Sequence, residues 1–346
     1  MDMSKQTNAQ PMGKTNHLEK LTSAEMGKLW ATYMGNSMST CVLNYFLQHV
    51  ENQDIKSVLE NALRVSESLL NNVTQILTKE NFPIPVGFTN KDVNLGAPRL
   101  FEDEFYLHYL KYTCKAGLSI YSIAVSLVTR KDVQDLFEMA VSSTVKLTLE
   151  IINALMEKGF MVKPPLIPTP KRVDFIKKKN YLNGFLGSIR PLSGLEIGHI
   201  HSMIDNNVTS KALLIAFSQV ATKERVREFF IRGKEITNKH IETCTEFLNK
   251  EGLPAPILLD HLVSNSTASP FSDKLMVAHK LDMFSMKIRS YGEGLSLSGR
   301  RDLGASFSRF ILDVGRYVED AADLMIDQGW AEQPPEAVDR ESLASE

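Results

Sequence analysis

The chain repeats itself, and the repetition narrows its fold more than any other feature. Residues 21–85 run against 192–256 at a constant offset of 171 with no gap, and 14 of the 65 paired positions are identical. Composition alone would give roughly four or five. The identities include Glu25/Glu196, Asn36/Asn207, Phe46/Phe217, Glu80/Glu251 and Pro83/Pro254. One residue is then lost, and an offset of 170 continues through Phe101/Phe271, Asp103/Asp273, Tyr121/Tyr291, Arg130/Arg300, Asp132/Asp302 and Gly159/Gly329. A period this long means two copies of one domain rather than a solenoid.

Within each copy apolar residues recur every three or four positions without strand-like alternation, which selects helix. Four helices per copy result. Ile197, His201, Ile204, Val208, Ala212 and Ile215 form the inward stripe of the second copy's first helix, and Met26, Trp30, Tyr33 and Ser37 form the matching stripe in the first. The second helix of each copy stops near Pro83 or Pro254. The last opens at residues 130–132 or 300–302, where Asp132 or Asp302 can cap free N–H groups, and closes at Gly159 or Gly329 before a double proline. Helices of about 28 residues are roughly 40 Å long. The expected fold class is therefore all-α, two tandem four-helix bundles, each large enough to bury its own core.

Segments 86–100 and 252–270, rich in Gly, Pro, Ser, Thr and Asn, join the second and third helices. Such a segment can run the height of the bundle, as the crossover of a ferritin-like bundle does, or form an ornate loop on a plain up-down-up-down bundle. The expected division is a tail over residues 1–19, disordered over 1–16, a first bundle over 20–165, a linker over 166–191, a second bundle over 192–335 and a tail over 336–346. Phe175, Ile176, Tyr181 and Phe185 give the linker an amphipathic segment expected to lie in the groove between bundles.

Three segments carry a resemblance. Residues 264–276 read Ser-Asn-Ser-Thr-Ala-Ser-Pro-Phe-Ser-Asp-Lys-Leu-Met, residues 329–335 read Gly-Trp-Ala-Glu-Gln-Pro-Pro, and residues 185–192 read Phe-Leu-Gly-Ser-Ile-Arg-Pro-Leu. Together they resemble a family of tandem-repeat proteins from endospore-forming bacteria, of unknown function and sometimes labelled spore-coat-like. The resemblance runs from about residue 20 to 340, and Pro270–Met276 is its most specific part. It implies two ferritin-like bundles and a spore-forming lineage, and no particular reaction.

Composition excludes several classes of partner. A formal net charge of -2 gives no electrostatic reason to expect nucleic acid or anionic lipid. Three cysteines, Cys41, Cys114 and Cys244, show no metal or redox spacing and suit buried thiols in a reducing, cytoplasmic compartment. No uninterrupted apolar stretch approaches the roughly 18 residues of a membrane span. Gly-rich phosphate loops, Gly-x-Ser-x-Gly elbows and His-Glu-x-x-His helices are also missing from the sequence.

A di-metal carboxylate centre needs Glu-x-x-His pairs on two helices. The one literal match is Glu196 with His199, whose side chains fall away from the inward stripe, and the first copy has Glu25 with Lys28. His201 and His240 do fall on inward stripes, 21 and 18 residues from the hinge near residue 222, hence at similar heights in an antiparallel pair. In an up-down-up-down bundle His279 and Asp282 would join them in an imidazole-plus-carboxylate site for Fe, Zn or Mn. A crossover would displace that pair. The competing reading is core histidines with hydrogen-bond partners. His279 and Asp282 also lie opposite the stripe of Val277, Leu281 and Phe284, so their helix is expected to be buried on both sides, one against the other copy.

Three functional expectations follow. The first is a non-enzymatic structural or interaction protein, cytoplasmic and spore-associated, with protein partners or self-association. The second is a metal-binding or redox bundle using His201, His240, His279 and Asp282. The third is a small-molecule pocket between helices, where bundles place ligands.

Overall fold

The computed structural model describes residues 19–345; the segment 1–16, expected to be disordered, lies outside them. The described residues form eight long helices and no strand: α1 Ser23–His49, α2 Gln53–Lys79, α3 Asp103–Val125, α4 Lys131–Glu157, α5 Gly194–Val220, α6 Glu224–Lys250, α7 Asp273–Leu297 and α8 Arg301–Asp327. Their ends follow local chemistry. Thr22 and Ser193 start α1 and α5 through reciprocal capping boxes with Glu25 and Glu196. Past α2 the chain turns through Asn81 at φ 53°, and at the matching position past α6 through Gly252 at φ 69°. Both lie in the left-handed region that glycine and asparagine tolerate best, so one stop signal is written with two residues.

Hydrogen bonds between helix ends fix the connectivity. Asn52 N–H, at the start of α2, donates to Asp103 at the start of α3 (2.7 Å), and Lys158 just past α4 pairs with Asp54 (2.8 Å). At the opposite end Glu25 of α1 accepts from the N–H groups of Thr129 and Arg130, before α4 (2.9 and 2.8 Å). So α2 and α3 run parallel, and residues 80–102 climb the whole bundle between them. The second copy repeats this arrangement through Asp273 with Thr222 and Lys223, and through Glu196 with Gly299 and Arg300. Both copies are up-down-down-up with a crossover, which removes the plain up-down-up-down alternative.

The two crossovers meet each other. Val93 bridges Phe271 and Phe101 bridges Val263, both antiparallel. Asn94 N–H donates to the Pro270 carbonyl, and Ser264 N–H to that of Leu100 (2.8 and 3.0 Å). At the offset of 170 each bridge is the counterpart of the other, as is each hydrogen bond, so the copies are related by an approximate two-fold axis. Close to that axis Tyr109 of α3 and its counterpart His279 of α7 share a 2.7 Å hydrogen bond. The face of α7 opposite Val277, Leu281 and Phe284 is thus packed on the other copy.

This contact corrects the expectation of two independent cores. One continuous cluster of buried apolar residues extends from Phe46, Tyr106 and Ile151 into Phe217, Phe284 and Tyr317. A separate cluster persists at the far end of the first copy, around Leu29, Leu77, Val133 and Phe137. The reason is that α3 and α7 carry apolar residues on two faces, and a single four-helix set covers one. The linker reading also changes: Phe175, Ile176 and Phe185 are exposed, and the segment holds only a short 3-10 turn, Lys179–Leu182. Among the described helices α4 alone is long and apolar enough to cross a membrane by length and composition; its best 18-residue window has a mean hydropathy of 1.2 and is 28% buried.

Candidate functional site

Along the seam between copies the packing opens into a cavity of about 420 Å³. Helix α1 supplies Trp30, Thr32 and Gly35, α3 supplies Tyr109, Tyr112 and Tyr121, and α7 supplies His279 and Asp282. The end of α8 and the strap beyond it add Met325, Trp330 and Glu332. Glu332 accepts from the N–H groups of Val86 and Gly87 (2.6 and 3.1 Å), tying the second copy's strap to the first copy's crossover. The α1 stripe expected in a bundle core therefore faces this space in part: Trp30 borders it and is half-buried.

The polar groups around the cavity are few and incompletely satisfied. Tyr121 accepts from Asn36 (3.1 Å) and Tyr112 donates to the Met283 carbonyl (2.7 Å). Thr32 Oγ1 and His279 Nδ1 are buried without a partner. Burial, reinforced by the neighbouring Lys280 charge, pushes His279 down to about 3, so its ring is neutral at pH 7. Asp282 has no hydrogen bond or ion pair in the described structure. Its side chain is exposed where it borders the partly open cavity. Burial raises its pKa from the ordinary value, and the field of Arg289 opposes that rise.

The structure does not gather the four residues singled out as metal ligands. His279 and Asp282 share the cavity. His240 lies in the core of the second copy, with Nδ1 3.0 Å from the Tyr291 hydroxyl and Nε2 3.6 Å from Asp313. His201 is buried on α5 in the field of Asp205 and Lys111, with Nε2 unpartnered. Among the described residues no group of three or more His, Cys, Asp or Glu side chains converges as a metal site requires. The crossover displaces His279 and Asp282 along the axis once α6 and α7 run parallel, and His201 stands in the field of Asp205 and Lys111, apart from the Tyr291 and Asp313 that face His240.

Asp132 and Asp302, expected as caps, also hold an arginine. Each aspartate grips the arginine two residues before it, Asp132 at 2.8 and 2.9 Å and Asp302 at 3.1 and 2.7 Å. The N–H groups of Arg130 and Arg300, just ahead of these helices, go to Glu25 and Glu196, more than a hundred residues away in sequence. Glu196, expected to point away from the core, is buried. Burial would raise its carboxyl, but the Arg190 fork (2.7 and 2.8 Å) and Ser193 overcome this and hold it at about 2.

The sequence comparisons reproduce the duplication. A family described as protein of unknown function, DUF3231, matches residues 11–173 and again residues 181–343. The chain belongs to this family. Both DUF3231 repeats include all four helices of their copy, so the cavity lies between repeats rather than within one. No protein of curated function matches the chain. A solved structure from Bacillus halodurans, described as a putative spore coat protein, is similar at 19% identity, covering 44% of this chain and 98% of its own, with a TM-score of 0.40. A pocket between helices was among the sequence expectations, but not its place between the DUF3231 repeats, because much of its lining lies where the repeats differ.

Proposed function

We propose that the chain is a non-enzymatic binding protein: two ferritin-like bundles that hold one small, largely apolar molecule in the cavity between them. The observation that carries this reading is the 420 Å³ hollow itself, partly open, placed in the seam between copies and bordered by aromatic side chains. Ligand sites are concave, mostly apolar and sparsely polar. Gly35 supplies the test. A Cβ built there meets nothing within 4 Å, so a larger side chain grows into the void. Isothermal titration of 1-octanol into the protein is expected to show one saturable site that disappears in Gly35→Leu; no binding by the parent protein would end the proposal.

A resident Fe, Zn or Mn ion held by His201, His240, His279 and Asp282 is supported less well, since these side chains stand in three separate surroundings. The cellular setting we infer, cytoplasmic and spore-associated with protein partners, rests on the resemblance in residues 185–192, 264–276 and 329–335.

A further inference from the structure

The approximate two-fold axis supplies an internal control for the cavity, because every lining position has a counterpart on the other side. There the corresponding groove lies between α3 and α5, and lysines bridge it. Lys111 reaches Asp205 at 2.8 Å, and Lys115 reaches Ser202 and, at 3.5 Å, Asn206. Under the offsets of 170 and 171 the counterparts of these five residues are Leu281, Met34, Ser285, Ala31 and Gly35. All five line the cavity. One side of the axis is therefore spanned by two alkylammonium chains, and on the other those chains are shortened and their partners reduced to small or apolar residues.

The open side also holds an acid without a counterion. Asp282 replaces Tyr112 under the same offset and borders the space with no hydrogen bond or ion pair to its carboxylate. Arg289 acts on it only through its field. Aromatic rings stand around the same space, and ring faces attract cations. We propose that the cavity takes an organic cation with an apolar body, an alkyl or arylalkyl ammonium, whose charged head pairs with Asp282 and whose body occupies the space that Lys111 and Lys115 fill on the opposite side. The proposal rests on the cavity being the binding site. It adds the sign of the ligand's charge and the residue that reads it. The carboxylate is exposed where it borders the space, so an arriving ammonium reaches it directly and makes a charge-assisted contact.

The experiment compares two probes of equal chain length, octylammonium and 1-octanol, titrated calorimetrically into the full chain at pH 7. Octylammonium is expected to bind with one-to-one stoichiometry and about tenfold more tightly than octanol, as for one charge-assisted contact. Asp282→Asn should bring octylammonium to the level of octanol and leave octanol unchanged. Ser285→Lys, which restores the counterpart's lysine, should exclude octylammonium by placing the protein's own ammonium in the void. Circular dichroism establishes that each variant is folded. Equal affinity of the two probes for the parent protein, or an unchanged preference in Asp282→Asn, would overturn the cation assignment while the cavity reading stands. Octylammonium binding that survives Gly35→Leu places the amine elsewhere and overturns the assignment too. Failure of both probes overturns the cavity reading itself.

Discussion

Several side chains carry ionisable groups in places where their charge is disfavoured. His240 and His279 are both held down to about 3, chiefly by burial and then by the charges of Lys287 and Lys280 respectively. Lys280 donates to the Ser210 carbonyl and hydroxyl, and Lys287 to Thr237, in surroundings where burial lowers both amines well below their ordinary value. The signs agree. A histidine with a depressed native pKa contributes full stability above about 6.5, lost as the unfolded chain takes up protons below it. A lysine with a depressed native pKa costs stability until pH passes about 10.5. Stability should therefore climb with pH from 5 towards 10 instead of peaking near neutrality. The two histidines together give roughly 4 kcal/mol of this between pH 5 and 7. Urea unfolding across that range checks it, and Lys287→Met should flatten the alkaline limb. His240 was legible as inward-facing from spacing alone, and His279 as lying on the face of its helix turned towards the other copy. Their partners were not, since Tyr291 and Tyr109 lie 51 and 170 residues away and no local pattern announces them.

At the scale of elements, the duplicated latch decides how each bundle closes. Glu25 and Glu196 join the start of the first helix to the start of the last, and Arg130 and Arg300 extend the join to Glu80 and Glu251 at the end of the second. Both carboxyls are held at about 2 against the effect of burial. Glu196→Gln should lower stability by roughly 2 kcal/mol, measured by urea unfolding at pH 7, and Glu25→Gln by less, because no arginine fork matches Arg190 there. The contribution is present above pH 4.5 and is lost as pH falls towards 2. Helix number, order and ends were readable because capping and stop residues act within a few positions. The destinations of Glu25, Glu196 and the crossovers were not, because they are set by packing between segments a hundred residues apart.

For the whole molecule the shared core predicts joint behaviour. Calorimetry should record one cooperative transition for the chain; two resolved transitions would show that the copies hold together independently of each other. The duplication was plain in the sequence, and the continuity of the core was not, since a second apolar face on α3 and α7 reads the same whether it meets a sibling helix or the other copy. The lysine-spanned groove has a consequence for saturation. A symmetric pair of identical subunits would own two such grooves or none, whereas fusion into one chain has let the halves diverge into a filled one and an open one. Occupancy should then follow a simple hyperbola, one guest per polypeptide, since the counterpart of this space is already spanned by Lys111 and Lys115.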